Sequence, residues 1–246
     1  MSHLPRFYRI RRHSNPPRIA DIAAAVRSEL EATDVCFEPG SRVALAVGSR
    51  GIMNLAAILR ETVKWLKEQD AQPFIVPAMG SHGGATAEGQ AAVLREYGVS
   101  EDALGVPVAS SMEVAELPRG NLPVPVFFDK KALEADATVV INRVKPHTSF
   151  HGAHESGLVK MVAIGLGKHS GAACLHRLGV TGLRDIMPKV AAQSLRHGNV
   201  RLGIAVVESS NDETMLVKAA PAARIVAHCP GGHAVTAGRT LGYPDP

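Results

Sequence analysis

Histidine is concentrated in one part of this 246-residue sequence. Five of the 11 histidines fall within 30 residues of chain, namely His147, His151, His154, His169 and His176. Neutral imidazole is the commonest transition-metal ligand, and its unperturbed pKa of about 6.5 suits it to proton transfer near neutral pH. Together with His82, this cluster predicts a metal-binding or proton-transfer site.

Three short turn-like segments place reactive side chains directly after apolar, strand-like runs. The segments are GSRG (48–51), GSHGG (80–84) and NRVKPH (142–147). Ligands of open α/β sheets collect beyond the carboxyl ends of the strands. Each segment carries a residue that can bind an anion or exchange a proton: Arg50, His82 and His147, respectively. We therefore expect the three turns to share one site.

Several familiar catalytic motifs are absent. The run 165–170 (GLGKHS) resembles part of a phosphate loop, but Val162 stands where the first glycine of GxxxxGK[ST] belongs. The run 151–155 (HGAHE) is not HExxH, and a zinc hydrolase built on the histidine cluster lacks a carboxylate in a ligand-like motif. No GxSxG elbow and no GxGxxG fingerprint follows a predicted strand. These absences count against nucleotide hydrolases, zincin proteases, α/β-hydrolases and nicotinamide-dependent enzymes.

The charge of the chain is unevenly placed. The net charge is +4, yet residues 1–20 alone carry five arginines and no acid, which leaves −1 for the remainder. A near-neutral body argues against a nucleic-acid-binding face. The basic arm has no apolar core of the secretory type, and no run reaches the ~18 apolar residues of a membrane span.

The composition is that of a folded protein in a reducing compartment. Hydrophobic residues make up 46% and charged residues 20%, which is ordinary for a globular chain. Cys36, Cys174 and Cys229 are too few and too scattered for a disulfide framework or a zinc ribbon. The sequence therefore predicts a cytoplasmic protein.

Alternating strand, glycine-containing turn and helix predict an α/β fold, a three-layer, mostly parallel sheet with Gly-rich strand-to-helix turns carrying the site. Predicted strands cover 42–47, 73–77, 106–108, 124–128, 137–142 and 201–208. Predicted helices cover 19–30, 55–69, 87–97 and 181–195. The apolar, Gly-rich stretch 157–167 fits helix or strand equally. We predict a basic arm at 1–18, one α/β domain at 19–218, and an irregular tail at 219–246.

Five of the reactive residues occur in an order and in local contexts that resemble a known family. They are Arg50 in VGSRG, His82 in MGSHGG, His147 in VKPH, Lys160 in SGLVK and His176 in ACLHRLG. Lys160 and His176 are 16 residues apart, which is the spacing expected of that family. By this order, these contexts and this spacing, residues 10–220 resemble the N-terminal domain of the nickel-pincer nucleotide-dependent lactate racemase family.

The resemblance implies a 2-hydroxy acid racemase or epimerase. Such an enzyme would use nickel held by a pyridinium-3,5-bisthiocarboxylic acid mononucleotide, the nickel-pincer nucleotide. This cofactor would accept a hydride from the substrate and return it. Lys160 would attach this cofactor covalently and His176 would ligate the nickel. His82 and His147 would exchange the hydroxyl proton, and Arg50 would hold the substrate carboxylate or a cofactor phosphate.

The resemblance further implies a set of nucleotide-lining residues, namely Ser49, Gly83, Gly84, Lys145 and Ser156. The implied partners are a small-molecule 2-hydroxy acid and the enzymes that synthesise the cofactor, with no nucleic acid and no membrane. A homodimer stays open. The alternative function is a non-catalytic nickel- or nucleotide-cofactor-binding domain.

Two departures from the family pattern point to a different substrate. Val47 stands where lactate racemase has an Asp three residues before the arginine, and the stretch from His147 to Lys160 is longer, with His151 and His154 added. Family members also have a second domain that closes over the cofactor. We expect this chain to correspond to the N-terminal half, without that domain.

Overall fold

The computed structural model of the protein describes Tyr8 and residues 15–49, 51–148 and 150–227. Its strands are β1 (Arg42–Val47), β2 (Gln72–Pro77), β3 (Val114–Leu117), β4 (Val126–Asp129), β5 (Ala137–Arg143), β6 (Val200–Glu208) and β7 (Thr214–Pro221).

Ten α-helical segments occur within the same described residues. They are α1 (Ile22–Glu31), α2 (Leu55–Lys67), α3 (Ala87–Glu96), α4 (Glu101–Leu104), α5 (Lys130–Leu133), α6 (Gly157–Lys160), α7 (Lys168–Arg177), α8 (Gly179–Thr181), α9 (Met187–His197) and α10 (Ala222–Ala227). A 3₁₀ turn covers Gly83–Ala85, and π-helical turns cover Met161–Gly165 and Gly182–Ile186. None of the described helices is both long and apolar enough to span a membrane.

The main sheet has the strand order β2-β1-β5-β6-β7. Its first four strands pair in parallel and β7 pairs antiparallel with β6. Val47 at the end of β1 lies opposite Pro77 of β2 and Ile141 of β5. The carboxyl ends of these three strands are therefore level, and the turns that follow them emerge side by side.

Both faces of the sheet are buried, as the apolar runs of the strands require. Val43 and Leu45 of β1 pack in one core with apolar residues of α1 and α2. Ala44 and Ala46, on the opposite face, pack in a second core with β4, α6, α7 and α9. This arrangement confirms the predicted α/β fold with its mostly parallel sheet between helical layers.

Several local predictions differ from the structure. The stretch 157–167 is helical, and residues 106–108 form no strand but a single bridge from Val108 to Ile75. The predicted irregular tail begins inside β7, and α10 follows it with Ile225 buried. Among the described strands β7 pairs only with β6, and α10 is six residues long. Buried and exposed positions do not alternate along β7, and α10 spans fewer than two helical turns, so neither element leaves a clear hydrophobic period in the sequence. Residues 228–246 of that tail lie outside the described residues.

The turn between β2 and α3 depends on glycine. Gly83 and Gly84 have φ values of +63° and +66°, a region that favours glycine. A Cβ on Gly89 of α3 would lie 1.9 Å from the Gly83 carbonyl oxygen. The first turn of α3 therefore packs directly on the backbone of the turn that carries His82.

Replacing Gly89 by alanine tests this packing. We expect Gly89→Ala to lower the free energy of unfolding by about 2–3 kcal/mol, the usual cost of overpacking a rigid site. In the control Gly84→Ala, where an added Cβ meets nothing within 4 Å, the left-handed backbone alone should cost about 1 kcal/mol. Urea denaturation measures both variants, and equal losses would contradict the close approach.

Candidate functional site

A cavity of about 180 Å³ lies at the carboxyl edge of the sheet, where the turns after β1, β2 and β5 meet α6 and α7. Seven residues singled out from the sequence line it: Ser49, His82, Lys145, His147, Ser156, Lys160 and His176. Gly83 and Gly84 lie in the turn after β2 but do not line the cavity, and their positive φ angles account for their presence. Arg50 lies outside the described residues.

Sequence reasoning missed further lining residues, among them Asn142, Arg143, Met161 and Ile164. The Asn142 side-chain amide donates to the Gly157 carbonyl at 2.8 Å and so ties the end of β5 to the start of α6. Asn142 and Arg143 belong to the NRVKPH segment, so their position after a strand was the available signal. The apolar residues gave no signal, because only the fold shows which face of the π-helical turn reaches the cavity.

The turns after β1 and β2 are joined by a side-chain hydrogen bond. Ser49 Oγ lies 2.5 Å from His82 Nδ1. This contact engages one ring nitrogen and so restrains the plane of the imidazole. A histidine held in this way presents a defined nitrogen for proton exchange.

The far side of the β1 turn is held by an ion pair between β5 and β6. The Arg143 guanidinium pairs with the Glu208 carboxylate and also donates to the Gly51 carbonyl at 3.3 Å. Glu208 accepts from the Met53 backbone N–H at 2.7 Å. The charge of Arg143 is therefore already balanced, and the pair fixes the chain just after position 50.

The loop after β5 is closed by two side chains near its end. The Ser156 hydroxyl accepts from the Lys145 N–H at 2.7 Å and donates to the Lys145 carbonyl. The buried Glu155 carboxylate accepts from the backbone N–H groups of His147 at 2.7 Å and Gly152 at 3.1 Å. These contacts hold the backbone that carries the two candidate site residues Lys145 and His147.

The ionisation of Glu155 is favoured by its surroundings. Burial alone would raise the pKa of this carboxyl, but the hydrogen bonds from His147, Gly152 and the exposed His151 ring outweigh burial and lower the pKa. Glu155 is therefore ionised at neutral pH and acts as a fixed acceptor inside the loop.

Lys160 and His176 face the cavity from α6 and α7. A π-helical turn, a feature frequent at functional sites, begins directly after Lys160. Burial lowers the pKa of His176, and the charge of Lys160 lowers it further. His176 is therefore neutral at physiological pH, which is the form that binds metals.

The side chains available as metal ligands limit how a metal ion could be held in this cavity. In the described ranges, no group of three or more His, Cys, Asp or Glu side chains is arranged to bind a metal ion. A bare ion would thus lack ligands, whereas a group that brings most of its own ligands needs a single imidazole. One amine and one neutral imidazole at the same cavity suit such a group.

The described residues that line the cavity carry positive and no negative charge. Arg143, Lys145 and Lys160 are present together with three histidines, and no Asp or Glu side chain lines the wall. The basic side chains give this wall a positive electrostatic field, and Glu208 outside the lining pairs with Arg143. Such a field favours an anionic ligand.

The acceptor role of Glu155 predicts a pH-dependent stability. Because its pKa is lowered in the folded state, its contribution is complete above about pH 4.5, its unperturbed value. The contribution is lost as the pH falls through the lower folded-state pKa. We expect Glu155→Gln to lower the free energy of unfolding by about 1–2 kcal/mol at neutral pH. The deficit should shrink towards about pH 3 in urea titrations.

The exposed Glu134, which pairs loosely with Lys131 at 3.8 Å, provides the control for that comparison. Glu134→Gln should change the stability by less than about 0.5 kcal/mol at neutral pH. A Glu155→Gln deficit that persists unchanged in acid would contradict the role of the ionised carboxylate.

Comparison with known proteins supports the fold. The chain is similar to the structure of the lactate racemase apoprotein from Thermoanaerobacterium thermosaccharolyticum, with a TM-score of 0.59 and 17% sequence identity. The similarity covers 86% of this chain and 54% of that one, so this chain spans about half the length of the protein it matches. No family model and no curated protein matches the sequence. The chain has a lactate-racemase-like α/β fold.

Proposed function

We propose that this chain carries the cofactor-binding and proton-transfer residues of a 2-hydroxy acid racemase or epimerase. The observation that supports this most is the meeting of His82, His147, Lys160 and His176 in one cavity without a lining carboxylate. These residues come from four separate parts of the chain, namely the turn after β2, the loop after β5, α6 and α7, and their types are those that the lactate-racemase-like reaction requires. The lactate-racemase-like fold is the second support.

The cavity suits a nickel-pincer nucleotide by the type of its donors. The Lys160 amine would form the covalent link, and the neutral His176 imidazole would be the protein ligand to nickel. Soft sulfur donors with one imidazole suit square-planar nickel. When bound, such a cofactor accepts a hydride from C2 of the substrate and returns it to either face. Lys145 and the hydroxyl of Ser156 lie at the same cavity, where they would contact the nucleotide.

The two remaining histidines would move the proton of the substrate hydroxyl group. His82 and His147 follow strands that flank β1, so the strand ends lie about 10 Å apart, two strand spacings. A small 2-hydroxy acid would lie between them, with one imidazole on each side of its C2 carbon. One histidine accepts the hydroxyl proton as the planar 2-keto acid forms, and either histidine returns it. Arg50 would hold the substrate carboxylate or a cofactor phosphate, which stays a prediction from the sequence.

A second candidate function is cofactor binding without catalysis. The cavity of about 180 Å³ is smaller than the roughly 300–1,000 Å³ of typical ligand pockets, so these residues would supply only part of a site for a cofactor and a substrate together. The deciding experiment is co-expression with cofactor-synthesising enzymes, native mass spectrometry, and then a chiral assay of lactate, malate and sugar acids. A loaded chain that racemises one of these acids supports the enzyme, and loading without turnover fits both the binding domain and the N-terminal half of an enzyme that needs its second domain.

Lys160 should be the attachment point of the cofactor. We expect the intact mass of the co-expressed protein to carry a covalent adduct that is lost completely in Lys160→Ala, because the amine that would form the link is removed. Lys145→Ala, a lysine of the same cavity, is the matched control and should keep the adduct. An adduct that persists in Lys160→Ala would reject the assignment.

His176 should hold nickel but not the organic part of the cofactor. His176→Ala is expected to lower the nickel content per protein at least about tenfold, while the adduct mass on Lys160 is retained. His169 lies on the same helix but does not line the cavity, so His169→Ala should keep both. Plasma mass spectrometry of the metal and intact mass of the protein provide the measurements, and unchanged nickel in His176→Ala would assign the metal elsewhere.

A further inference from the structure

The first residue of α7, Lys168, is a charged side chain buried in the core. It belongs to the GLGKHS run that fails as a phosphate loop, and both Lys168 and Asp129 are 0% exposed. The Lys168 ammonium lies 2.9 Å from Asp129 Oδ2, and it donates to the Pro77 carbonyl at 2.5 Å and to Gln90 Oε1 at 3.1 Å. One side chain therefore joins the starts or ends of β2, α3, β4 and α7.

Two features of Lys168 are unfavourable for a purely structural residue. Its φ of +53° is a left-handed conformation that side chains other than glycine adopt rarely. A buried ion pair can commonly be replaced by apolar residues of similar volume without loss of stability. The role of this pair is therefore better sought in the geometry that it imposes.

Gln90 extends the contact of Lys168 to the His82 turn. While its side-chain oxygen accepts from Lys168, its Nε2 donates to the carbonyls of Gly80 at 2.9 Å and His82 at 3.2 Å. Gly80 also approaches α7 closely, since a Cβ there would lie 3.4 Å from that of Ala172. The backbone of the turn is thus held from α3 and from α7, and the ammonium of Lys168 connects the two.

His147 on the other side of β1 is held by a separate device. Its backbone N–H is bound by Glu155 within its own loop, and its ring lies against that of Phe150 with centroids 4.4 Å apart. The contacts of the buried ion pair reach the turn after β2 and not this loop. The contacts described for His147 therefore do not involve the buried ion pair.

We propose that Lys168 is a positioning residue for His82. Bound to Asp129, Pro77 and Gln90, its ammonium fixes the His82 turn against α7 and so sets the imidazole in place beside Ser49. Only the catalytic role of His82 in this inference rests on the proposed function. The contacts that hold the His82 turn join protein atoms alone and need no cofactor.

The ionisation of the pair dictates the choice of variants. Burial lowers the pKa of Lys168 and raises that of Asp129, and the charge of each partner opposes the shift of the other. Removing one partner would leave a buried charge without compensation and endanger folding. The double variant Lys168→Met/Asp129→Leu removes both charges, and Gln90→Met keeps the pair but removes the link to the turn.

The test is ring ¹⁵N spectroscopy of the histidines in the chain prepared without cofactor. In both variants we expect the His82 ring signals to move away from their positions in the unaltered chain, as the hydrogen bond to Ser49 is lost. The His147 and His151 signals should stay in place. Unmoved His82 signals in either folded variant would overturn the proposal, and so would equal movement of the His82 and His147 signals.

A control separates positioning from a general loss of stability. Arg27→Met removes an ion-pair cluster with Glu61 and Glu68 on α1 and α2, on the opposite face of the sheet. It should reduce the urea midpoint without moving the His82 signals, and a shift of His82 in this variant would also overturn the proposal. Because no cofactor is present, the result does not depend on the outcome of the Lys160 and His176 experiments.

Discussion

β1 pairs in parallel with β2 on one side and with β5 on the other, and the register of these two ladders is the constraint on which the site depends. Val47 lies opposite both Pro77 and Ile141, so three chain segments leave the sheet at one level. Backbone hydrogen bonds thus bring together Ser49, His82 and His147, which are 33 to 98 positions apart in the sequence. A slip by one residue in either ladder would turn the apolar side chains to the wrong face, and both cores resist it.

The helical side of the site depends on a different kind of contact, the close approach of neighbouring groups to glycines, which have no side chain to keep them apart. Gly165 ends the π-helical turn, and a Cβ there would lie 2.7 Å from the Ala78 carbonyl oxygen. Gly48 after β1 is covered by Met161 in the same way, with a Cβ-to-Cε distance of 2.9 Å. The turn that presents Lys160 can therefore lie directly on the ends of β1 and β2, which brings the lysine to the level of the histidines.

The polar groups around the cavity divide into those that can meet a ligand and those that hold the backbone. Glu155, Glu208 and Asp129 are each buried or nearly so and each accepts hydrogen bonds from the protein. None of them lines the cavity. Carboxylates thus stabilise the loops from behind, while amines and imidazoles face the space in front. This separation gives the site its positive character although the folded body is close to neutral.

The sequence by itself determined the sheet and most of the candidate site. β-branched, apolar runs predicted β1, β2, β5 and β6 because strands buried on both faces need such residues. Because ligands of open α/β sheets collect at the carboxyl ends of the strands, the turns after β1, β2 and β5 were predicted to form one site. The same reasoning placed His82 and His147 together. Lys160 and His176 came from the resemblance of their spacing to a known family, since the stretch around Lys160 was not assignable to helix or strand.

Only the tertiary structure decided the rest, because the deciding contacts join residues distant in the sequence. The φ angles of Gly83 and Gly84, which show that the turn itself requires glycine at both positions, are visible only in the folded structure. The support of His147 by Glu155 and of the His82 turn by Lys168 and Gln90 needed distances between side chains. A lysine in GLGKHS shows no sign in the sequence of being buried, since its partner Asp129 lies 39 residues earlier. Burial of that pair is a property of the packed core, and a pattern of residue types along the chain cannot express it.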